Sequence, residues 1–140
     1  MSPRRRELAR DRAGGRCEYC RLSEQDLPLW PFHVDHIVAE QHRGTEDSAN
    51  LAWACQRCNL CKGTNLTAVD PDSSHIVPLF NPRTDRWAEH FGLDVNRIVG
   101  LTAVGRATAW LLQMNCEQRL DLRAGLIATG KWPPRATQPF

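Results

Sequence analysis

The sequence contains no apolar stretch that approaches the roughly 20 residues of a membrane-spanning helix. Its first residues, MSPRRRELAR, carry charge but are followed by no apolar segment, so we expect no secretory signal. The formal net charge of +2 is too small to indicate a nucleic-acid partner by itself. These absences predict a protein of the cytoplasm that has no membrane partner.

A length of 140 residues and a hydrophobic content of 41% predict one domain with a modest core. A chain of this size gains stability from a structural metal, since the metal contributes folding free energy. Positive charge is concentrated at the N-terminus, where six arginines oppose only Glu7 and Asp11: Arg4, Arg5, Arg6, Arg10, Arg12 and Arg16. Such a run is typical of a solvated helix face, and a phosphate-binding face is the alternative.

Six cysteines in a chain with no predicted secretory signal favour metal binding over disulfides. Four of them form two Cys-x-x-Cys pairs, Cys17/Cys20 and Cys55/Cys58. Four thiolates at this spacing suit one tetrahedral zinc ion, whose coordination shell is then closed to chemistry. Cys61 is an alternative to Cys55, because Cys58-x-x-Cys61 is also a pair, but Cys55 mirrors the first pair and is preferred. Cys61 and Cys116 are then expected to be small buried hydrophobic residues.

The pattern of apolar and turn residues predicts an α+β fold with an N-terminal part and a C-terminal extension. In residues 1–64 it predicts a helix capped by Ser2, strands at 32–38 and 51–54, and a short helix at 55–64. The extension, residues 65–140, is predicted to pack on this core and complete a single compact domain. Its expected segments are an extended connection at 65–82, strands at 86–91 and 97–101, helices at 102–114 and 116–129, and a loose tail from about residue 133.

A second group of polar residues lies between and beside the cysteines: Asp35, His36, Asn50, Asn59 and Lys62. Phosphodiester hydrolysis needs an activated water, a cation that neutralises developing charge, and positioning. A histidine that titrates near neutrality suits the base, and carboxylate and amide oxygens suit a hard divalent cation. Neighbouring residues of a strand point to opposite faces, so Asp35 and His36 share one site only where the strand ends or bends.

The string HVDHIVAEQHRGTEDSANLAWACQRCNLCKG resembles the HNH endonucleases, the ββα-metal nucleases, and particularly the branch in which zinc knuckles hold the motif. The matching residues are Asp35-His36, Asn50, Asn59 and Lys62-Gly63, and the resemblance covers residues 13–64. The third motif residue is often histidine, whereas this chain has Asn59. Residues 79–112 also resemble the C-terminal extension of small stand-alone HNH proteins.

The resemblance implies that Asp35 and Asn59 hold a catalytic Mg²⁺ or Mn²⁺ ion and that His36 is the general base. It also implies that Asn50 braces the loop between the strands through backbone hydrogen bonds, and that Lys62 reaches a phosphate oxygen. The zinc would be purely structural, on Cys17, Cys20, Cys55 and Cys58. The implied activity is endonucleolytic hydrolysis of DNA, with RNA open as a substrate and with a monomer or a homodimer as the oligomeric state.

Each site residue also has a structural interpretation: Asp35 as a strand-end acid, His36 as a structural histidine, and Asn50 and Asn59 as helix caps. The whole protein has two non-catalytic alternatives, a zinc-stapled nucleic-acid-binding module and an interaction domain without nucleic acid. The complete set of a base and two oxygen ligands favours the nuclease.

The remaining aromatic residues carry weaker predictions. His33 precedes His36 by three residues and is expected on the other side of the strand. Trp53 on a strand and Trp110 on a helix are predicted to pack in the core. Trp30 and Trp132 lie next to prolines and are the tryptophans expected to be exposed.

Overall fold

A computed structural model describes residues 1–135 of the chain, and these residues fall into two compact units. The first unit comprises Met1–Leu66 and Asn81–Asp85, and the second comprises Thr67–Phe80 and the residues from Arg86 onward. Helices and small antiparallel strand pairs follow each other along the chain, which confirms the predicted α+β class. None of the helices in residues 1–135 is long and apolar enough to cross a membrane. The predicted loose tail lies, from residue 136 onward, outside the described residues.

The first unit is built on a two-stranded antiparallel sheet with one helix before it and one after it. Helix α1 spans Pro3–Arg12, strands β1 and β2 span His33–His36 and Leu51–Ala54, and helix α2 spans Gln56–Lys62. In the β1–β2 register, His33 faces Ala54 and His36 faces Leu51. The loop between the strands contains two short 3-10 turns, at Glu40–His42 and Ser48–Asn50. Both predicted strands are therefore present, with β1 shorter than expected.

Two arginines of α1 contact the rest of the first unit. Arg6 Nη2 donates to the carbonyl oxygen of Phe32 at 2.9 Å, and its guanidinium lies 4.6 Å from the ring centroid of Trp53. Arg12 Nη2 donates to the carbonyl oxygen of Leu51 at 2.6 Å. These contacts tie the helix to the sheet, while both arginines stay exposed, as the predicted solvated face requires.

Up to residue 135, the second unit contains two hairpins and three helices. Its elements are β3 (Thr67–Val69), β4 (Ile76–Pro78), α3 (Trp87–His90), β5 (Phe91–Asp94), β6 (Arg97–Gly100), α4 (Ala103–Leu111) and α5 (Glu117–Ala128). Strands pair antiparallel as β3–β4 and β5–β6. Its core includes an aromatic group in which the Phe91 ring lies 5.3 Å from Phe80 and 4.9 Å from Trp87.

Three segments of the second unit differ between the prediction and the structure. The predicted extended connection at 65–82 contains the β3–β4 hairpin, because Asp70 closes its turn by accepting from the Ser73 hydroxyl at 2.7 Å. Residues Trp87–His90 form one helical turn where a strand was predicted. Helix α4 ends at Leu111 rather than near Met114, since Gln113 adopts a positive φ of 51°.

Two of the tryptophan predictions are wrong. Trp110 is 66% exposed although it was predicted in the core, and Trp132 is 3% exposed although it was predicted at the surface. Trp53 is buried and Trp30 is exposed, as predicted. The helical pattern of α4 did not reveal which of its faces is covered, because that depends on the other elements of the unit.

Candidate metal centre and active-site cleft

Four buried cysteines come together in the first unit: Cys17, Cys20, Cys55 and Cys58. Their Sγ atoms all lie within 4.8 Å of one another, and those of Cys20 and Cys55 are 3.8 Å apart. Zinc–sulfur bonds of about 2.3 Å place tetrahedral sulfur ligands roughly 3.8 Å apart, whereas a disulfide needs about 2.05 Å. The cluster therefore fits a metal ion such as zinc, and Cys55 rather than Cys61 completes it.

Backbone pairing explains how two cysteine pairs so distant in sequence meet. The amide of Glu18, inside the first pair, donates to the carbonyl oxygen of Trp53 at 2.8 Å, and the Glu18 carboxylate accepts from the Trp53 amide at 2.7 Å. Trp53 lies on β2, which leads directly into the second pair. Cys55 then caps α2, since its sulfur accepts from the amide of Cys58 at 3.5 Å.

The protonation of these thiols is linked to metal binding. Hydrogen bonds from the neighbouring thiols, with Cys17 first, and burial raise the pKa of Cys20 and Cys58 well above the ordinary cysteine value. A metal ion binds thiolates, so it must displace these protons when it enters the cluster.

Asp35 is enclosed by two side chains of the first unit. Its Oδ2 accepts from the Tyr19 hydroxyl at 2.6 Å, and its Oδ1 accepts from Lys62 Nζ at 3.2 Å. Only 4% of Asp35 and 2% of Lys62 is exposed. Burial raises the pKa of the Asp35 carboxyl, against the opposing influence of the Lys62 charge and the Tyr19 hydrogen bond. Burial also raises the pKa of Tyr19 well above its ordinary value, so the phenol is a proton donor to the carboxylate.

Lys62 does not lie on the surface as a phosphate contact would. Its ammonium also donates to the backbone carbonyl oxygens of His36 at 3.1 Å and Ile37 at 3.2 Å. All three donor positions of the ammonium are thus directed at β1 and the residue that follows it. The structure places Lys62 under the strand end, as a support for the residues that line the cleft.

His36, the last residue of β1, meets a residue that the sequence did not single out. Its Nε2 lies 2.7 Å from Oε1 of Glu46, and hydrogen bonding to His36 lowers the pKa of that carboxyl. A carboxylate only accepts, so Nε2 donates the proton of this hydrogen bond, and Nδ1 is the ring nitrogen outside it. Glu40 adds a third ligand atom, since one ligand atom each of His36, Glu40 and Glu46 lies within 4.8 Å of the others. In the sequence, Glu46 is one of several polar residues of the loop. Its contact with His36, seen in the structure, is what identifies it as part of the site.

Asn50 holds the loop between β1 and β2. Its Oδ1 accepts from the Val38 amide at 2.9 Å, while its Nδ2 donates to the carbonyl oxygens of Val38 at 2.9 Å and Thr45 at 2.8 Å. Both ends of the loop are therefore fixed by one side chain. The three hydrogen bonds of this carboxamide all go to backbone groups of the loop.

One cleft of the first unit brings together three of the predicted site residues. Asp35, His36 and Asn59 line a cleft of about 680 Å³ at the end of β1 and along α2. Asn59 lies inside α2, so it is not a helix cap. Asn50 and Lys62 do not line this cleft, and His33 contacts Gln56 instead, with 3.4 Å between His33 Nε2 and Gln56 Oε1. The cleft thus combines the carboxylates of Asp35 and Glu40, the imidazole of His36 and the carboxamides of Gln41 and Asn59.

Comparison with known proteins agrees with this geometry. Residues 17–65 match the family model described as HNH endonuclease. No curated protein and no solved structure matches the chain. The matched range begins at the first cysteine of the cluster and includes every residue of the cleft just described. Residues 17–65 are therefore similar to the domain that defines the HNH endonuclease family.

Proposed function

We propose that this protein is a metal-dependent endonuclease that hydrolyses phosphodiester bonds of DNA. The observation that supports it is the single cleft shared by Asp35, His36 and Asn59, beside the four-cysteine cluster. HNH endonucleases act on nucleic acids, and the match of residues 17–65, which include the cleft, supports this proposal. DNA as the substrate and the cytoplasm as the location come from the sequence prediction.

The cleft offers donors that fit a hard divalent ion. Carboxylate and carboxamide oxygens are ligands that Mg²⁺ and Mn²⁺ accept, and Asp35 and Asn59 are the residues that would hold such an ion. When bound, the ion supplies charge neutralisation at the scissile phosphate. The four cysteines have a different donor chemistry and would hold a structural zinc.

His36 is the proposed general base. Because Nε2 is bonded to Glu46, Nδ1 is the atom that takes the proton from the attacking water. Glu46 fixes the imidazole ring in this tautomer, and Asn50 fixes the loop that carries Glu46. Asp35 and His36 lie next to each other at the end of β1, so one backbone segment sets the positions of both the ion and the base.

A plasmid-nicking assay with Mg²⁺ or Mn²⁺ tests this function. His36→Ala should lower the cleavage rate by about 100-fold or more, which is the usual contribution of a general base. His75→Ala is the matched control, because His75 is exposed and lies in the second unit. Absence of cleavage by the zinc-loaded wild type, or equal cleavage by His36→Ala, would overturn the proposal. DNA binding without cleavage would instead support the non-catalytic binding module.

A further inference from the structure

We infer that Tyr19 and Lys62 are positioning residues: the four-cysteine cluster fixes these two side chains, and they in turn fix the carboxylate of Asp35. This inference rests on the function proposed above. Tyr19 lies between Cys17 and Cys20, and Lys62 lies one helical turn after Cys58 on α2. Each cysteine pair therefore supplies one side chain to the same carboxylate. The metal cluster and the cleft are separate sites that share these two connections.

The two connections together hold both oxygens of Asp35. Tyr19 donates to Oδ2 at 2.6 Å, and Lys62 Nζ lies 3.2 Å from Oδ1 and 3.2 Å from Oδ2. A carboxylate with both oxygens held has little freedom to rotate about its terminal bond. Asp35 also lines the cleft, so this carboxylate would be a ligand for a divalent ion there. The orientation of this ligand is thus fixed before a divalent ion arrives.

Lys62 also holds the backbone at the end of β1, where Asp35 and His36 lie next to each other. Its ammonium donates to the carbonyl oxygens of His36 and Ile37, the last residue of β1 and the first residue after it. The same group therefore orients the side chain of Asp35 and the backbone that carries His36. Since α2 begins at the second cysteine pair, loss of the cluster would release this clamp.

A buried ion pair can also exist for folding alone, so the two roles must be separated. Groups that orient a metal ligand from behind usually change metal affinity by about 10–100-fold when they are removed. A residue that only stabilises the fold changes the melting temperature and leaves the affinity of the folded protein unchanged. The affinity of folded, zinc-loaded protein for Mn²⁺ distinguishes these roles without any activity measurement.

Tyr19→Phe is the decisive variant, because it removes one hydroxyl and keeps the ring in the core. We expect the zinc-loaded, folded variant to bind Mn²⁺ about tenfold more weakly than wild type, measured by electron paramagnetic resonance of free Mn²⁺. Thr108→Val is the matched control: it removes a hydroxyl that is equally buried but lies in the second unit. This control should leave Mn²⁺ affinity unchanged.

Lys62→Met gives a second test, in which the direction of the change in Mn²⁺ affinity separates the effect of charge from that of position. Removal of a positive charge near the ion site would by itself strengthen Mn²⁺ binding. Loss of the clamp on Asp35 and on the two carbonyls would weaken it instead, and we expect weaker binding. Lys131→Met is the control, because Lys131 is exposed in the second unit and should leave the affinity unchanged.

The outcomes separate this inference from the proposed function. If wild type binds Mn²⁺ and cleaves DNA, but Tyr19→Phe does both equally well, the positioning inference is wrong and the proposed function stands. If Lys62→Met binds Mn²⁺ more tightly, the clamp assigned to Lys62 is wrong. If wild type binds no Mn²⁺ and cleaves nothing, the proposed function fails and the inference fails with it.

Discussion

The hydroxyl of Tyr19 lies 2.6 Å from the carboxylate of Asp35, and both groups are buried. One residue belongs to a cysteine pair and the other to the end of a strand that lines the cleft. The contact is one of the two connections, with that of Lys62, between the four-cysteine cluster and the cleft. A local change in the cluster should therefore alter the position of the Asp35 carboxylate in the cleft.

Removal of one cluster ligand should release the metal and unfold the first unit. Structural zinc sites contribute an apparent binding free energy of about 10–16 kcal/mol, far more than a small domain has in reserve. We expect Cys55→Ser to bind no zinc and to lose its thermal unfolding transition. Metal analysis and circular dichroism measure both effects.

Cys61→Ser provides the matched control for that experiment. Cys61 lies on α2 three residues after Cys58 but outside the cluster, and it is half-buried. It should keep one zinc per chain and a nearly unchanged melting temperature. Zinc loss in Cys61→Ser with retention in Cys55→Ser would show that the other cysteine register is the right one.

Glu46→Ala should slow cleavage by roughly tenfold or more, since His36, the proposed general base, loses the group that fixes its ring. The effect should fall on kcat, because Glu46 orients the base rather than the substrate. Steady-state cleavage kinetics measure the two constants. Glu89→Ala removes an exposed glutamate of the second unit and should change neither constant. Equal kcat in Glu46→Ala and wild type would contradict this role.

Asn50→Ala should lower the free energy of unfolding by about 1–3 kcal/mol, because its backbone partners lose three hydrogen bonds. Urea denaturation measures the change. Asn65→Ala, at an exposed position of the same unit, should have an effect within about 0.5 kcal/mol of zero. A stability of Asn50→Ala that matches this control would refute the bracing role.

Asp70 should give the second unit a stability that falls in acid. Arg106 donates to both carboxylate oxygens of Asp70 at 2.9 Å, and this hydrogen bonding lowers the Asp70 pKa well below its ordinary value. The stabilisation is complete above the unfolded-state pKa, near pH 4, and is lost as the pH falls toward the lower folded-state pKa.

Asp70→Asn should consequently melt at a lower temperature than wild type at pH 7, and the difference should shrink as the pH is lowered below about 4. Calorimetric melting curves across this pH range measure the trend. Asp94→Asn, at an exposed hairpin position, should follow wild type throughout. A constant difference between Asp70→Asn and wild type at all pH values would contradict the linkage.

Residue spacing was enough to predict the four-cysteine cluster, because two Cys-x-x-Cys pairs suit one tetrahedral metal ion. That Asp35, His36 and Asn59 share a site was implied by the resemblance to the HNH endonucleases, and the three residues line one cleft. The pairing of Tyr19 with Asp35 could not be predicted, because it depends on how the first cysteine pair docks on β2. Lys62 was predicted to reach a phosphate oxygen. Its ammonium instead donates to Asp35 and to two backbone carbonyl oxygens, and backbone acceptors cannot be identified from the residue pattern.

The second unit was harder to predict for physical reasons. The side chain of Asp70 closes the turn of the β3–β4 hairpin. Unless that turn is recognised, a segment with several prolines is interpreted as an extended connection. The exposure of Trp110 follows from which face of α4 is covered, and the apolar periodicity of one helix does not decide that. The packing of residues 65–140 on residues 1–64 stays a prediction.

The short segment Asn81–Asp85 belongs to the first unit although the chain on both sides of it belongs to the second. Arg83 in this segment pairs with Glu18, whose carboxylate is buried inside the first cysteine pair. A fragment cut at the limits of the family match would leave that glutamate without its cation. The smallest piece that folds on its own is therefore longer than the stretch by which the family is recognised, and expression of residues 17–65 alone should give insoluble protein.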